Sequence, residues 1–359
     1  MNKSVYIHIP FCKNICTYCD FCKMFYDKKW IDKYLESLKK EIESNYKNEK
    51  LDTIYIGGGT PSSLDIDELQ KLFQITNKFI LEENYEFTIE CNIEDITKEK
   101  LKLFKENKIN RLSVGVESFN DKYLKYLGRN YNENIILDKI NLAKKYFDDI
   151  NIDLIYALPN QTLNELEEDI DKFLSLDITH ISCYSLIIEE NTKLHINDEK
   201  NIDSDLDYDM YKLIDKKLKE KYIHYEVSNY AKEGFESKHN LKYWLNEKYY
   251  GFGLSASGYI DNIRYTNTKN LTKYIRNIND KEIEKIDIND QIKYELILGF
   301  RLKQGVNKEE FYNKYGTSIY EIENINKLIN EGYLIDDKNN IYVNEDYFYV
   351  LNDILVNFI

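Results

Sequence analysis

Proline is almost missing from this chain. Three remain in 359 residues, Pro10, Pro61 and Pro159. Each follows a short run rich in β-branched residues: "SVYIHI", "TIYIGGGT" and "NIDLIYAL". A ring that cannot donate to a sheet ladder marks strand ends passing into loops; plain turn punctuation is the other reading. Long apolar runs are also lacking, which excludes a helical bilayer span. The short apolar stretch after Lys3 stops at Pro10, too early for a secretory signal. The expected compartment is cytoplasmic, and no integral membrane protein is expected. Basic clusters are missing too. With a net charge of −14, nothing is arranged to release the counterions of nucleic-acid phosphates, so no nucleic-acid partner is expected. No repeat of fixed period occurs, which excludes a solenoid. Cysteines number only six, yet four stand close together in "HIPFCKNICTYCDFC". Disulfides do not persist in a reducing compartment, so this concentration points to metal binding or redox chemistry.

What is present is an ordinary soluble composition, 43% hydrophobic and 31% charged, long enough for a large domain and a small one. Apolar runs at 5–9, 53–56, 87–90, 112–116, 151–155 and 180–186 read as buried strands. Amphipathic stretches such as "WIDKYLESLKKEIES", "DIDELQKLFQITNKFI" and "ENIILDKINLAKKYF" read as helices between them. Six strand–helix units predict an α/β fold, a partial (β/α)6 barrel over 1–260. In such folds chemistry gathers at the carboxyl ends of the strands, where the cysteines, "GGGTP", "ECN", "GVES" and "DLIYALPNQT" all fall. After about residue 261 a polar connector, "NINDKEIEKIDINDQ", leads to a second unit over 285–359. Its end, "INKLINEGYLIDDKNNIYVNEDYF", reads as helix, turn and two short strands, a small winged-helix-like α+β domain. Winged helices bind DNA or serve as packing and lid elements; the acidity favours the latter.

Cys12, Cys16 and Cys19 are spaced C-x3-C-x2-C, with Cys22 three further on. Structural zinc usually draws two separated ligand pairs, and no second pair follows. Three thiolates on one loop suit a four-iron cubane with one iron left open, although the spacing alone also admits zinc. Gly58, Gly59 and Thr60 close the second strand in "YIGGGTP", either as an ordinary turn or as backbone that lets a ligand approach closely. Glu90 and Glu117 each end an apolar run and Asp153 interrupts one, while Arg129 sits in "LGRNY". They are solvated or paired charges, or costly ones retained to bind something. In "HNLKYW", His239 is a candidate axial ligand for haem iron. Tyr243 would share its helical face, and Trp244 would offer a flat apolar surface. The bland alternative is a surface histidine beside two core aromatics.

Taken together, these motifs resemble those of the radical S-adenosylmethionine (SAM) proteins. The resemblance implies a [4Fe-4S] cluster on Cys12, Cys16 and Cys19, with the amino and carboxylate groups of SAM on the open iron. One-electron reduction then cleaves SAM to a 5′-deoxyadenosyl radical. It also implies cofactor contacts from Tyr6, Tyr18, Gly58, Gly59, Thr60, Glu90, Glu117, Arg129 and Asp153. Glu90 and Asp153 would hold ribose hydroxyls or nearby polar groups, and Arg129 a carboxylate.

Within that family, "SVYIHIPFC", "IYIGGGTPSSL", "RLSVGVESFND", "HISCYSLIIEENT", "YEVSNYAKEGFESKHNLKYW" and "LGFRLKQGV" resemble the haem chaperones. These are relatives of the oxygen-independent coproporphyrinogen III oxidases. The early Cys12, Phe21 in place of a fourth C-x-C cysteine, and H-N-x-x-Y-W separate the two. The resemblance implies a haem carrier using His239, an acceptor haemoprotein as partner and a possible homodimer, without active coproporphyrinogen III dehydrogenase chemistry. The alternative is a radical enzyme decarboxylating porphyrinogen propionates; a third reading is a cluster- or zinc-stabilised binding module. The family's usual residues are replaced by Ile93, Glu117, Tyr131, Ala157, Asn160 and Ser257; no cluster cysteine is affected.

Overall fold

Alternation along the strands decides this architecture. The computed structural model describes residues 3–190, 192–278 and 280–359. Met1, Asn2, Asn191 in the "HISCYSLIIEENT" run and Asn279 in the polar connector lie outside the described residues. Six strands form as expected: β1 Ser4–Ile9, β2 Lys50–Gly58, β3 Ile80–Asn92, β4 Arg111–Glu117, β5 Asp149–Tyr156 and β6 His180–Ser185. They pair in parallel in sequence order. Tyr250–Phe252 extends the sheet beside β1, Asn229–Ala231 runs antiparallel beside β6, and Ile223–His224 runs antiparallel beside that, so the sheet is open and nine-stranded.

Val5, Ile7 and Ile9 on β1, Leu112, Val114 and Val116 on β4, and Ile150, Ile152 and Leu154 on β5 all enter one core. That core is covered by helices including Lys28–Asn45, Ile66–Thr76, Glu133–Ala143 and Leu163–Ser175. Successive side chains of a strand point to opposite faces. The other face carries Tyr55, Glu90, Ser113, Asn151, Asp153 and Ser182, which line one cavity. Parallel strands are usually apolar on both faces, and closed eightfold barrels fill their interior with bulky aliphatics. A polar inner face therefore means that this barrel encloses a site rather than a second core.

Element ends differ from the periodicity reading where a cap or a new strand intervenes. The helix expected over 65–80 stops at Thr76, because Ile80 already opens β3. Its start is fixed by a capping box between Asp65 and Glu68. The helix expected over 133–147 ends at Ala143. The polar connector contains a strand, Glu282–Lys285, that pairs with Ile263–Thr266. All four of its side chains face solvent, so no apolar pattern announces it.

The C-terminal unit has its own core, including Phe300, Phe311, Leu328, Ile341 and Phe358. A three-stranded antiparallel sheet of Val306–Asn307, Asn340–Val343 and Leu334–Asp336 accompanies short helices, the α+β pattern expected. It docks on the barrel through Lys303 N–H donating to Tyr225 O at 3.0 Å and through the Tyr208–Tyr349 ring pair at 5.0 Å. Among the described residues no helix is long and apolar enough to cross a membrane.

Candidate functional site

The cysteine loop has little regular structure of its own, and neighbours hold it from three sides. Phe11–Cys12 pairs with Met24–Phe25, and Tyr26 N–H donates to Cys12 O at 2.8 Å, closing the loop's base. Tyr6 OH meets His8 Nδ1 at 3.0 Å, and His8 Nε2 meets Cys22 O at 2.8 Å. Thr17 bonds to the carbonyls of Leu127 and Tyr126, while Leu194 N–H donates to Thr17 O. Cys12, Cys16 and Cys19 line a cavity of about 410 Å³; Cys22 and Tyr6 are not in its wall. Burial pushes the Cys12 thiol up to about 11, against the Thr60 hydroxyl at 3.5 Å, and raises Cys16 and Cys19 as well. A soft metal that displaces those protons is the natural occupant. Among the described residues no three His, Cys, Asp or Glu side chains are gathered to chelate one ion. Three all-sulfur donors around one chamber fit a cubane, whose cysteines bind separate irons, better than a single zinc.

Opposite the loop, β2 ends in glycines. Gly58, at φ +118°, turns its N–H onto Glu90 Oε2 at 2.9 Å, and Tyr55 OH donates to Glu90 Oε1 at 2.9 Å. A Cβ on Gly59 would lie 2.9 Å from Cys12 Sγ and 2.8 Å from the Pro10 carbonyl carbon. Gly59→Ala is expected to push Cys12 out of line, costing about 1–3 kcal/mol and lowering bound iron. Denaturation midpoints and iron content check both.

Glu117 ends β4 in the left-handed region, φ +72°, at a register shift against β5. The turn sends its carboxylate inward to a buried ion pair with Arg129. Tyr18 OH donates to Glu117 Oε1 at 2.8 Å, Arg129 Nη2 donates to Tyr18 OH at 3.0 Å, and Arg129 Nη1 donates to Asn92 Oδ1 at 2.9 Å. Gly115 makes room, for a Cβ there would lie 2.8 Å from Glu117 Oε1.

Two further carboxyls face the cavity. Burial pushes Glu90 up to about 7, against the bonds from Tyr55 and Gly58. Burial, then the charge of Glu117, pushes Asp153 up to about 7, although Asn151 Nδ2 donates to it at 2.9 Å. Unfolded, both titrate near pH 4. The folded chain thus binds more protons between about pH 4 and 7, so this stabilisation is complete below that window and fades as pH rises through it. Stability of the metal-free chain is expected to fall from pH 5 to pH 8 by up to roughly 3 kcal/mol per carboxyl. Glu90→Gln and Asp153→Asn should flatten the slope in urea titrations.

His239 lies elsewhere. Its helix, Lys238–Trp244, plugs the amino-terminal end of the barrel, where Glu86 accepts from the Lys238 and His239 amides at 2.7 and 3.1 Å. The residue is 1% exposed. Nδ1 meets Thr53 Oγ1 at 2.8 Å, Nε2 meets Tyr243 OH at 2.7 Å, and Tyr55 stacks on the imidazole. Tyr243 does share its face, as helical spacing predicts. Both ring nitrogens are engaged, so His239 would offer one to haem iron only by giving up the bond to Thr53 or to Tyr243. It is not the surface histidine of the bland alternative.

Residues 6–173 match the Radical SAM superfamily, and residues 286–346 match the HemN C-terminal domain. The haem chaperone HemW of Lactococcus lactis is 42% identical, covering 99% of this chain and 97% of its own length. HemW of Bacillus subtilis is 40% identical, covering 88% of each. This chain belongs to the HemW family of radical SAM proteins. Among solved structures, coproporphyrinogen III oxidase (HemN) from Escherichia coli superposes with a TM-score of 0.87 at 21% identity. That superposition covers 99% of this chain and 89% of HemN, and it supports the fold. Radical SAM membership implies SAM and a [4Fe-4S] cluster.

Several departures from the family pattern now have local explanations. Ala157 and Asn160, two positions where the family resemblance led glycine to be expected, are both left-handed, φ +59° and +60°. Asparagine tolerates that region; alanine is strained there. Ala157→Gly is expected to raise stability by about 1 kcal/mol, read as a higher denaturation midpoint. Tyr131 donates its OH to Gly115 O at 3.1 Å, and Ser257 bonds to Thr266 on the antiparallel hairpin. Ile93, in place of a proline, opens a single 3-10 turn.

The sequence reading missed the inner ends of β4, β5 and β6. Arg111, Ser113, Asn151, His180 and Ser182 all line the same cavity. His180 is held between Asn151 Oδ1 at 2.6 Å and Tyr225 OH at 2.8 Å. The available signal was period two: in "RLSVGVE", "NIDLI" and "HISCYS" the polar residues alternate with the apolar ones.

Proposed function

We propose that this chain is a haem chaperone: it binds haem, carries a SAM-liganded [4Fe-4S] cluster on Cys12, Cys16 and Cys19, and passes haem to an acceptor protein. The observation that carries the reading is near-full-length similarity to proteins named as haem chaperones. The thiol-ringed cavity supports the cluster half of it. Such a cluster supplies an open iron and one electron; the protein supplies the rest. Gly58, Gly59 and Thr60 bring backbone up to the ligand, while Glu90 and Asp153 offer acceptors or, when protonated, donors to its polar groups. Arg129 is already neutralised by Glu117, so it braces Tyr18 beside Cys19 more than it attracts an anion. Phe21, 65% exposed and in the cavity wall, stands where a C-x-C cysteine would. We accordingly propose no coproporphyrinogen decarboxylation. The unit boundaries at 260 and 285, the cytoplasmic compartment and a possible homodimer belong to this reading.

The test is anaerobic haem titration of the cluster-reconstituted chain, then mixing with an acceptor apoprotein and following visible absorption. Saturable uptake followed by transfer is expected. No uptake, or carbon dioxide released from coproporphyrinogen, overturns the reading. His239→Ala belongs in the same titration. Lost haem absorption with an intact cluster would assign the imidazole to iron, which requires it to leave Thr53 and Tyr243. Retained absorption would assign it to closing the barrel.

A further inference from the structure

We infer that the floor of the cavity is a carboxylate subsite, built by Arg111 with Ser113 and Asn151 two residues above it in the register. Arg111 opens β4, at the end of the barrel away from the cysteines, and it lines the cavity that they ring. It is only 2% exposed, and its side-chain Nε is buried without a hydrogen-bond partner. Its one ion pair is with Asp149 Oδ1 at 3.6 Å, and that oxygen already accepts from the Thr179 hydroxyl at 3.2 Å. The other nearby carboxylate, Glu86, is committed to the Lys238 and His239 amides. A guanidinium has five donors and no acceptor, and burying it without hydrogen bonds is costly. Its planar fork matches a carboxylate with two parallel bonds. Ser113 and Asn151 bond to each other at 3.0 Å, and Asn151 also accepts from Ser182 at 3.0 Å. This ordered polar shelf stands beside the fork.

Two sources could supply the carboxylate: a haem propionate or the methionyl group of SAM. The family resemblance puts the SAM carboxylate on the cluster iron, near Glu117. At roughly 3.3 Å per residue, that is about 20 Å along β4 from Arg111. The floor is therefore assigned to a propionate, which rests on the haem reading above.

The test compares haem with haem dimethyl ester on the cluster-reconstituted chain, anaerobically, by visible absorption. The wild-type chain is expected to bind haem at least about tenfold more tightly than the ester. Arg111→Met is expected to bring haem down to the affinity of the ester while SAM binding, followed calorimetrically, is unchanged. Equal affinity of the wild type for haem and ester overturns the inference, and needs no variant to fold. Unchanged haem binding in Arg111→Met overturns it as well. Loss of SAM binding with haem discrimination retained assigns the floor to SAM and overturns the propionate assignment. A wild-type chain that takes up no haem sinks the chaperone reading itself, a result distinct from haem uptake that ignores esterification.

Discussion

Serine at Cys12, Cys16 or Cys19 is expected to reduce bound iron to background after anaerobic reconstitution, and serine at Cys22 to leave it unchanged. The distinction comes from where the loop is held. The first three sulfurs belong to residues in the cavity wall, whereas Cys22 is outside it and its carbonyl is tied back to His8. A hydroxyl is a hard, weakly acidic donor and a poor substitute for thiolate on iron. With three protein ligands, losing one leaves the cluster two, so the effect should be all-or-none rather than graded. Iron and sulfide content with visible absorption reads the result. Iron retained in Cys16→Ser but lost in Cys22→Ser would overturn the ligand set. Zinc retained in place of iron would overturn the cubane reading.

The largest expected stability effect is at Arg129. Arg129→Met should destabilise the chain by about 3–5 kcal/mol, because Glu117 would remain buried with only Tyr18 donating to it. Adding Glu117→Gln should recover much of the loss, since no charge then remains inside. Urea unfolding with an unchanged slope measures both. A single-variant loss below about 1 kcal/mol would mean the pair behaves as a solvated surface bridge. The pair also braces the cysteine loop, for Arg129 Nη2 holds Tyr18, the residue before Cys19. Arg129→Met should therefore lower iron retention even where the fold survives.

Much was legible before any coordinates. Strand and helix order followed from period, because a residue's neighbours along a strand fix which face it takes. The grouping of three cysteines on one loop is also local, and it needed no distant partner to be noticed; their role as cluster ligands rests on the family resemblance and is part of the proposal. The α+β character of the C-terminal unit, too, is local. Element ends were less legible: Thr76 and Ala143 close their helices through caps and through the strand or turn that follows.

The tertiary structure alone decided which distant residues meet. His239 reads as a ligand in "HNLKYW", yet Thr53, 186 positions away, and Tyr243 take its two nitrogens. Glu117 and Arg129 look like separate charges until the register shift at the end of β4 turns one onto the other. Arg111 is one cation among 49; only assembly of the barrel buries its side chain at the floor of the cavity with Nε lacking a hydrogen-bond partner. Sequence by itself determined the order of the strands and the placing of three sulfurs on one loop, because these depend on neighbours in the chain. The partners of buried charges depend on packing across the sheet, and there the fold had the decision.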